Sequence, residues 1–322
     1  MSIHNKLIII GSGPAGLTAS IYAARGGIEP LVISGNEPGG QLMYTSEVEN
    51  FPGFDEPILG PILMEKMRKQ AQRFGTRFVD KAISSVDFSS KPFRIRCSNS
   101  DNNNNNIEEY FADSVIIATG ASAVWLGLES EQRLRGGGVS SCATCDGFFF
   151  KGKDVVVVGG GDTAMEEALF LIKFTKSVMV IHRRNKLNAS AIMQQKAFRN
   201  EKISFLWNTI IEDILGNSKV ESVRVKNVIT GESKDIRTDG VFVAIGHKPN
   251  TELFKGQIEL DERGYIKKYE ESKTSIDGVF VAGDVYDYKY RQAITAAGSG
   301  CKAALDVINY LESKPKNEES LE

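Results

Sequence analysis

Leu7-Ile8-Ile9-Ile10-Gly11-Ser12-Gly13-Pro14-Ala15-Gly16 carries the strongest fold signal in the chain. Four consecutive apolar residues bounded by glycine mark a strand buried on both faces. Ala15 to Arg25 reads as the helix that follows, and Pro30-Leu31-Val32-Ile33 as the next strand. A strand, a glycine-rich turn, a helix and a second strand make the unit that holds a dinucleotide. Gly11 allows the tight turn, Gly13 lets a pyrophosphate approach the backbone, and Gly16 lets helix and strand pack closely. The phosphates rest against the helix N-terminus, where free N–H groups and the helix dipole favour negative charge.

The same plan recurs later in the chain. Val155-Val156-Val157-Val158 is followed by Gly159-Gly160-Gly161-Asp162-Thr163-Ala164, a helix expected to run to about Phe174, and a strand at Ser177–Ile181. Each half later carries an apolar strand ending in glycine, Val115–Gly120 and Val241–Gly246. A third such strand, Val279-Phe280-Val281-Ala282-Gly283-Asp284, has no counterpart in the second half and is assigned back to the first domain. The expected fold class is therefore α/β, with two Rossmann-like nucleotide-binding domains, the second inserted into the first. The expected boundaries are 1–122 and 251–322 for the first domain and 123–250 for the second. Crossings near Gly120–Leu126 and Gly246–Phe254 would permit hinge rotation.

The 322 residues suffice for two domains with full cores. A net charge of −2 gives no pull toward nucleic acid or a membrane surface. No apolar run reaches the roughly 18 residues needed to span a bilayer. The N-terminus runs almost directly into a strand and leaves no room for a signal or transit peptide, so the cytosol is expected. The five asparagines 102–106 read as a polar hairpin loop, and the mostly charged tail from Glu312 to Glu322 as frayed.

Four cysteines in a chain this long are not a disulfide scaffold. Cys97, ending an alternating run, and Cys301, in a small-residue helical stretch, read as packing residues. Cys142-Ala143-Thr144-Cys145-Asp146 is different, because two cysteines at this spacing can form and break a small-ring disulfide without unfolding their surroundings. A zinc site would need four ligands, yet there is no second C-x-x-C and the three histidines show no ligand spacing. Polar neighbours (Ser140, Ser141, Thr144, Asp146) are unsuited to an inert core segment. Asp146 is placed to carry protons during thiol exchange, although it would also serve as a turn cap before Gly147.

The two fingerprints differ in the residues downstream of each. The acidic residue expected at the end of the second strand is replaced by Ile33-Ser34-Gly35, leaving Glu37 as a weak candidate for a ribose. Asp284, directly after a buried strand and glycine, can accept hydrogen bonds from a polyol chain such as the ribityl of FAD; its alternative is a helix N-cap. Arg291-Gln292-Ala293 opens a helix whose amides could steady negative charge on a reduced flavin. In the second half His182-Arg183-Arg184 stands where an acid would recognise a free 2′-hydroxyl, and arginines there suit a 2′-phosphate, which favours NADPH. Lys186 adds positive charge, and His182 could equally be a packing residue.

With these motifs in order, the chain resembles the low-molecular-weight thioredoxin reductases over nearly its whole length. The matching stretches include Gly39-Gly40-Gln41-Leu42, Glu49-Asn50-Phe51-Pro52-Gly53, Ala118–Ser122, Cys142–Gly147, Gly159–Ala164, His182–Arg184, Gly283–Val285 and Arg291–Cys301. The resemblance implies a homodimer with one FAD and one NADPH site per subunit, and thioredoxin as protein substrate. It implies that Ser12, Gly13, Pro14, Ala15, Glu37, Gly40, Gln41, Asn50, Ile83, Asp284, Arg291, Gln292 and Ala293 hold FAD. It places Cys145 nearest the flavin, with Cys142 attacking the thioredoxin disulfide, and Gly159, Gly161, Asp162, Thr163, Ala164, His182, Arg183 and Arg184 around NADPH. It also implies alternation between two domain orientations. One departure is Leu187-Asn188-Ala189, where relatives often carry a further arginine, which weakens one contact to the 2′-phosphate. The rivals are a flavin dithiol oxidase, disfavoured by Arg183 and Arg184, a reductase serving a peroxidase, which has an extra N-terminal redox domain, and a non-enzymatic redox sensor.

Overall fold

In the computed structural model the described residues are 3–45, 47–98 and 107–314. The asparagine run and residues 315–322 of the tail lie outside them. The elements that position the site are, in chain order, β1 (Ile3–Ile10), α1 (Pro14–Arg25), β2 (Leu31–Ile33), β3 (Ile107–Ile117), α2 (Ala143–Asp146), β4 (Asp154–Val158), α3 (Asp162–Leu171), β5 (Ser177–Ile181), β6 (Gly240–Val243), β7 (Val279–Val281) and α4 (Ala293–Glu312). The chain divides into two compact units. The first comprises Met1–Met43, Phe51–Ser122 and Lys248–Glu322, the second Tyr44–Asn50 and Ala123–His247.

In the first unit, β1 lies between β2 and β3 in parallel register, Ile10 opposite both Ile33 and Ile117. The other edge of β3 is shared: its first half pairs antiparallel with Phe93–Ser98 and its last residues pair parallel with β7, Val281 opposite Ile117. The late strand thus rejoins the first sheet, and the second nucleotide fold is inserted between its strands. Side chains alternate as a pleat requires. Ile8, Ile10, Ile33, Ile117 and Val281 pack on one face with Phe93 and Phe254, while Leu7, Ile9, Val32, Ile116 and Phe280 pack on the other with α1 and α4. Both faces are closed to water, which is why the strands are uninterrupted apolar runs. Each such side chain contributes about 1.5–3 kcal/mol by burial.

In the second unit the parallel order is Val139–Ser140, β6, β4, β5, Ile203–Leu206. Val155, Val157, Val178 and Val180 meet Ala164, Ala168 and Leu171 of α3 on one face. Val156, Val158 and Val243 meet Ile211, Ile214 and Val223 on the other. The last three belong to an antiparallel three-stranded sheet, Thr209–Leu215, Ser222–Asn227 and Ser233–Arg237. The helix expected to reach Phe174 ends at Leu171, because the N–H groups of Phe174 and Thr175 both turn back to the Leu171 carbonyl at 2.9 Å. Likewise β1 begins at Ile3, before the apolar run at Leu7, since pairing along β3 extends it.

Candidate active site

The first cradle is built around Ala15. A Cβ on Gly16 would lie 1.9 Å from the Gly11 carbonyl oxygen, and one on Gly11 2.3 Å from that of Ala118, so both glycines serve close packing of turn, helix and sheet. Gly13 is the opposite case: nothing lies within 4 Å of where its Cβ would stand. Gly13 is the N-cap of α1, with no side-chain cap, a proline at the helix start and no acid in the first turn, which leaves the leading N–H groups of the helix without a side-chain acceptor. The Ser12 hydroxyl accepts from Gly39 N–H at 3.0 Å and ties the phosphate turn to the Gly39-Gly40 loop, where Gly40 comes against Gly13. Gln41 is exposed in the short 3-10 turn Gly40–Tyr44, and Glu37 is exposed in the loop after β2.

Two more backbone approaches converge on Ala15. A Cβ on Gly283 would meet the Ala15 Cβ at 2.9 Å, and one on Gly300 would meet the Ala15 carbonyl at 2.1 Å. The Gly283-Asp284 turn and α4 are therefore locked onto the start of α1, and Ser299 accepts the Gly283 N–H at 2.7 Å. Burial pushes the Asp284 carboxyl up to about 7, Asp287 adds to the shift, and Arg291 opposes it. Gln292 caps α4 in extended backbone, Arg291 sits at φ 48°, and Ala293 is the first helical residue. A turn with free amides, a second helix N-terminus and a half-buried carboxylate suit a pyrophosphate joined to a polyol, so these residues fit FAD. Ile83 pairs with Cys97 in the strand Ala82–Asp87 and packs against the core cluster that includes Ile33, Ile117 and Val281. Asn50 falls in the second unit, Tyr44–Asn50 with Ala123–His247.

In the second unit Cys142 and Cys145 form a disulfide, S–S 2.14 Å and Cα–Cα 5.3 Å. The four-residue turn of α2 makes this reach possible, with the N–H groups of Cys145 and Asp146 both on the Cys142 carbonyl. Ala143 anchors the turn in the core, and Ser140 accepts the Cys142 N–H at 3.0 Å. The Thr144 hydroxyl lies 3.2 Å from the Cys142 sulfur, which in a disulfide can only accept. Burial raises the Asp146 carboxyl above the usual carboxylate range, and the Ser140 hydroxyl partly offsets this.

The nucleotide turn of this unit starts at Gly159, whose Cβ would meet the Ala244 carbonyl at 2.4 Å and the Ala164 Cβ at 2.8 Å. Ala164 thus takes the close-packing place in the fingerprint. Gly161 caps α3 with nothing within 4 Å of its Cβ position, again open space at a helix start, with Thr163 in the first turn. The His182 ring packs in this unit, covering Gly160 and meeting Trp207 edge-on at 6.4 Å, and burial, with the neighbouring arginines, lowers its pKa. Arg183 and Arg184 are exposed beyond β5. A phosphate turn followed by two exposed guanidiniums fits NADPH.

The sequence pattern of pyridine nucleotide-disulphide oxidoreductases matches residues 5–300. The chain belongs to this family. Within it, the chain is 52% identical over 315 residues, 97% of its length and 99% of the other's, to the thioredoxin reductase of Rickettsia prowazekii (strain Madrid E). It is 50% identical over 324 residues to the thioredoxin reductase of Streptomyces clavuligerus, covering 100% of this chain and 98% of that one. The solved thioredoxin reductase from Giardia duodenalis superposes with a TM-score of 0.89 at 44% identity over 96% of this chain and 99% of its own.

Outside the dinucleotide and dithiol sites, Cys97 is fully buried and its thiol is pushed up to about 11 by desolvation. Cys301, expected to pack in the core, is only half-buried and faces the Tyr22 hydroxyl. Among the described residues no three His, Cys, Asp or Glu side chains converge as a metal-ligand set, and no helix is long and apolar enough to cross a membrane. Sequence reading missed Ser190, whose N–H and hydroxyl donate to Asp162, and the close-packing role of Gly300; the run Ala297-Gly298-Ser299-Gly300 was the available signal for the latter.

Proposed function

We infer that the protein is an NADPH-dependent thioredoxin-disulfide reductase carrying FAD, acting as a cytosolic homodimer. The observation that carries this reading is the Cys142–Cys145 disulfide, set on a helical turn directly ahead of a second nucleotide fold. The relatives' shared name supports thioredoxin as the acceptor. Arg183 and Arg184 support NADPH, and the Asp284 turn supports FAD.

The chemistry that the flavin supplies when bound is acceptance of a hydride from NADPH and delivery of two electrons to a disulfide. The Cys142–Cys145 bond breaks as each sulfur gains one electron, and two protons complete the dithiol. The Thr144 hydroxyl favours the thiolate form of Cys142, since a donor stabilises the charged state. The resemblance to thioredoxin reductases assigns attack to Cys142, and a donor beside its sulfur supports that assignment. Its thiolate bonds to one sulfur of the thioredoxin disulfide and expels the other. The Cys145 thiolate then attacks Cys142, releases reduced thioredoxin and restores the disulfide. Asp146, adjacent to Cys145 and raised by burial, takes and returns the proton.

The test is NADPH consumption with oxidised thioredoxin, wild type beside Cys142→Ser. Turnover that disappears in a variant still holding flavin supports the relay. Flavin bleached by NADPH without turnover would mean that thioredoxin is the wrong acceptor.

A further inference from the structure

We propose that Asp162 is a positioning residue and not a cofactor contact: by holding Ser190 it sets the loop that presents Arg183 and Arg184 to a 2′-phosphate. The proposal rests on the reading of this cradle as an NADPH site.

The loop between β5 and the helix Ala191–Phe198 is pinned on both sides. On one side the His182 carbonyl accepts Thr209 N–H at 3.0 Å and the Arg184 carbonyl accepts Asn208 N–H at 3.2 Å. On the other, the Gly160 carbonyl accepts Asn188 N–H at 2.7 Å and Ala189 N–H at 3.0 Å, with Leu187 and Ala189 buried. The arginines stand exposed between these pins. Two side chains also hold this loop: Gln194 donates its Nε2 N–H to the Ala189 carbonyl at 2.7 Å, and the Asp162 carboxylate accepts Ser190 N–H at 2.7 Å and the Ser190 hydroxyl at 2.8 Å through one oxygen.

Two physical points favour positioning over contact. Asp162 opens α3 one residue after the open face of Gly161, so a carboxylate turned toward a bound pyrophosphate would repel it. Engaging Ser190 turns that charge onto two donors and uses it to tie the arginine loop to the phosphate turn. Asn188 and Ala189 spend their N–H groups on the Gly160 carbonyl, so recognition of a 2′-phosphate falls to the exposed Arg183 and Arg184, with Lys186 adding charge, and their placement must be accurate.

The experiment is calorimetric binding of 2′,5′-ADP and of 5′-AMP to the full-length holoenzyme, which reads adenosine-phosphate recognition without turnover. The quantity is the ratio of the two dissociation constants. Wild type should prefer 2′,5′-ADP by about tenfold or more, the preference that a bidentate guanidinium–phosphate pair confers. Asp162→Ala should reduce that preference about fivefold, the order expected for losing hydrogen bonds to a charged group at an exposed site. Asp162→Asn, which keeps an accepting oxygen, should retain the preference, and Ser190→Ala should lose part of it. If Asp162 acted only as a like charge, Asp162→Ala would raise the preference, because the more highly charged ligand gains most. An unchanged or raised ratio in Asp162→Ala, or a loss in Asp162→Asn equal to that in Asp162→Ala, overturns the proposal. A wild-type ratio near one instead overturns the NADPH reading, and the proposal with it.

Discussion

Replacing Asp284 by asparagine tests the first cradle through stability alone. In the folded chain burial lifts this carboxyl from 3.8 to about 7. A raised acid binds its proton more tightly in the folded state, so its contribution to stability is complete below pH ~3.8 and is lost as pH rises through ~7. At about 1.36 kcal/mol per pH unit over roughly three units, flavin-free wild type should lose about 4 kcal/mol between pH 4 and pH 8 from this residue. Spread over the unfolding entropy of the whole chain, that is roughly 6 °C in Tm. Asparagine cannot ionise, so flavin-free Asp284→Asn should melt roughly 6 °C above flavin-free wild type at pH 8, with the gap closing toward pH 4. The same substitution should weaken FAD binding by about tenfold or more, because it removes a charge-assisted acceptor for the ribityl hydroxyls. Thermal scans from pH 4 to pH 8 and flavin titration measure both arms. A flat pH profile in the wild type, or an asparagine variant that melts no higher at pH 8, would refute the claim that burial sets this carboxyl.

Two further outcomes are expected. Gly16→Ala forces a methyl to within 1.9 Å of a backbone oxygen and should destabilise the flavin-free fold by at least about 1–3 kcal/mol, whereas Gly13→Ala, with open space at its Cβ, should leave the flavin-free Tm within about 2 °C and lower flavin content instead; equal effects in both assays would contradict the division between packing and cradle glycines. Cys97→Ser should cost about 1–3 kcal/mol by burying a hydroxyl in an apolar site while turnover per folded enzyme stays at the wild-type level, and a selective loss of turnover would give Cys97 a role that its protonated, buried thiol excludes.

Much of the architecture is legible in the chain because its signals are local. Leu7–Ile10, Val155–Val158 and Val279–Val281 are apolar without interruption, a pattern that only a strand covered on both faces requires, and each forms such a strand. The C-x-x-C spacing limits the two sulfurs to one turn of chain, so their pairing needs no distant contact. Element ends were less legible. The stop of α3 at Leu171 depends on where two N–H groups turn back, and nothing in Ile172-Lys173-Phe174 announces it.

The class of the molecule is written in the chain alone: two glycine turns, each between a buried strand and a helix, and a dithiol between them, all set by spacings of a few residues. Which side chains do the holding is settled only when the chain is folded. His182, beside two arginines, reads equally as a cofactor or a packing residue, and only the fold shows that its ring covers Gly160 and meets Trp207. Asp162 reads as part of a fingerprint, and only the fold shows that its carboxylate also accepts from Ser190, 28 residues away. Gly300 looks like an ordinary helical glycine until α4 is seen to cross α1 at the Ala15 carbonyl. Each of these roles depends on a contact distant in sequence, and the direction of a side chain across such a gap is set by packing, which leaves no periodic mark in the chain.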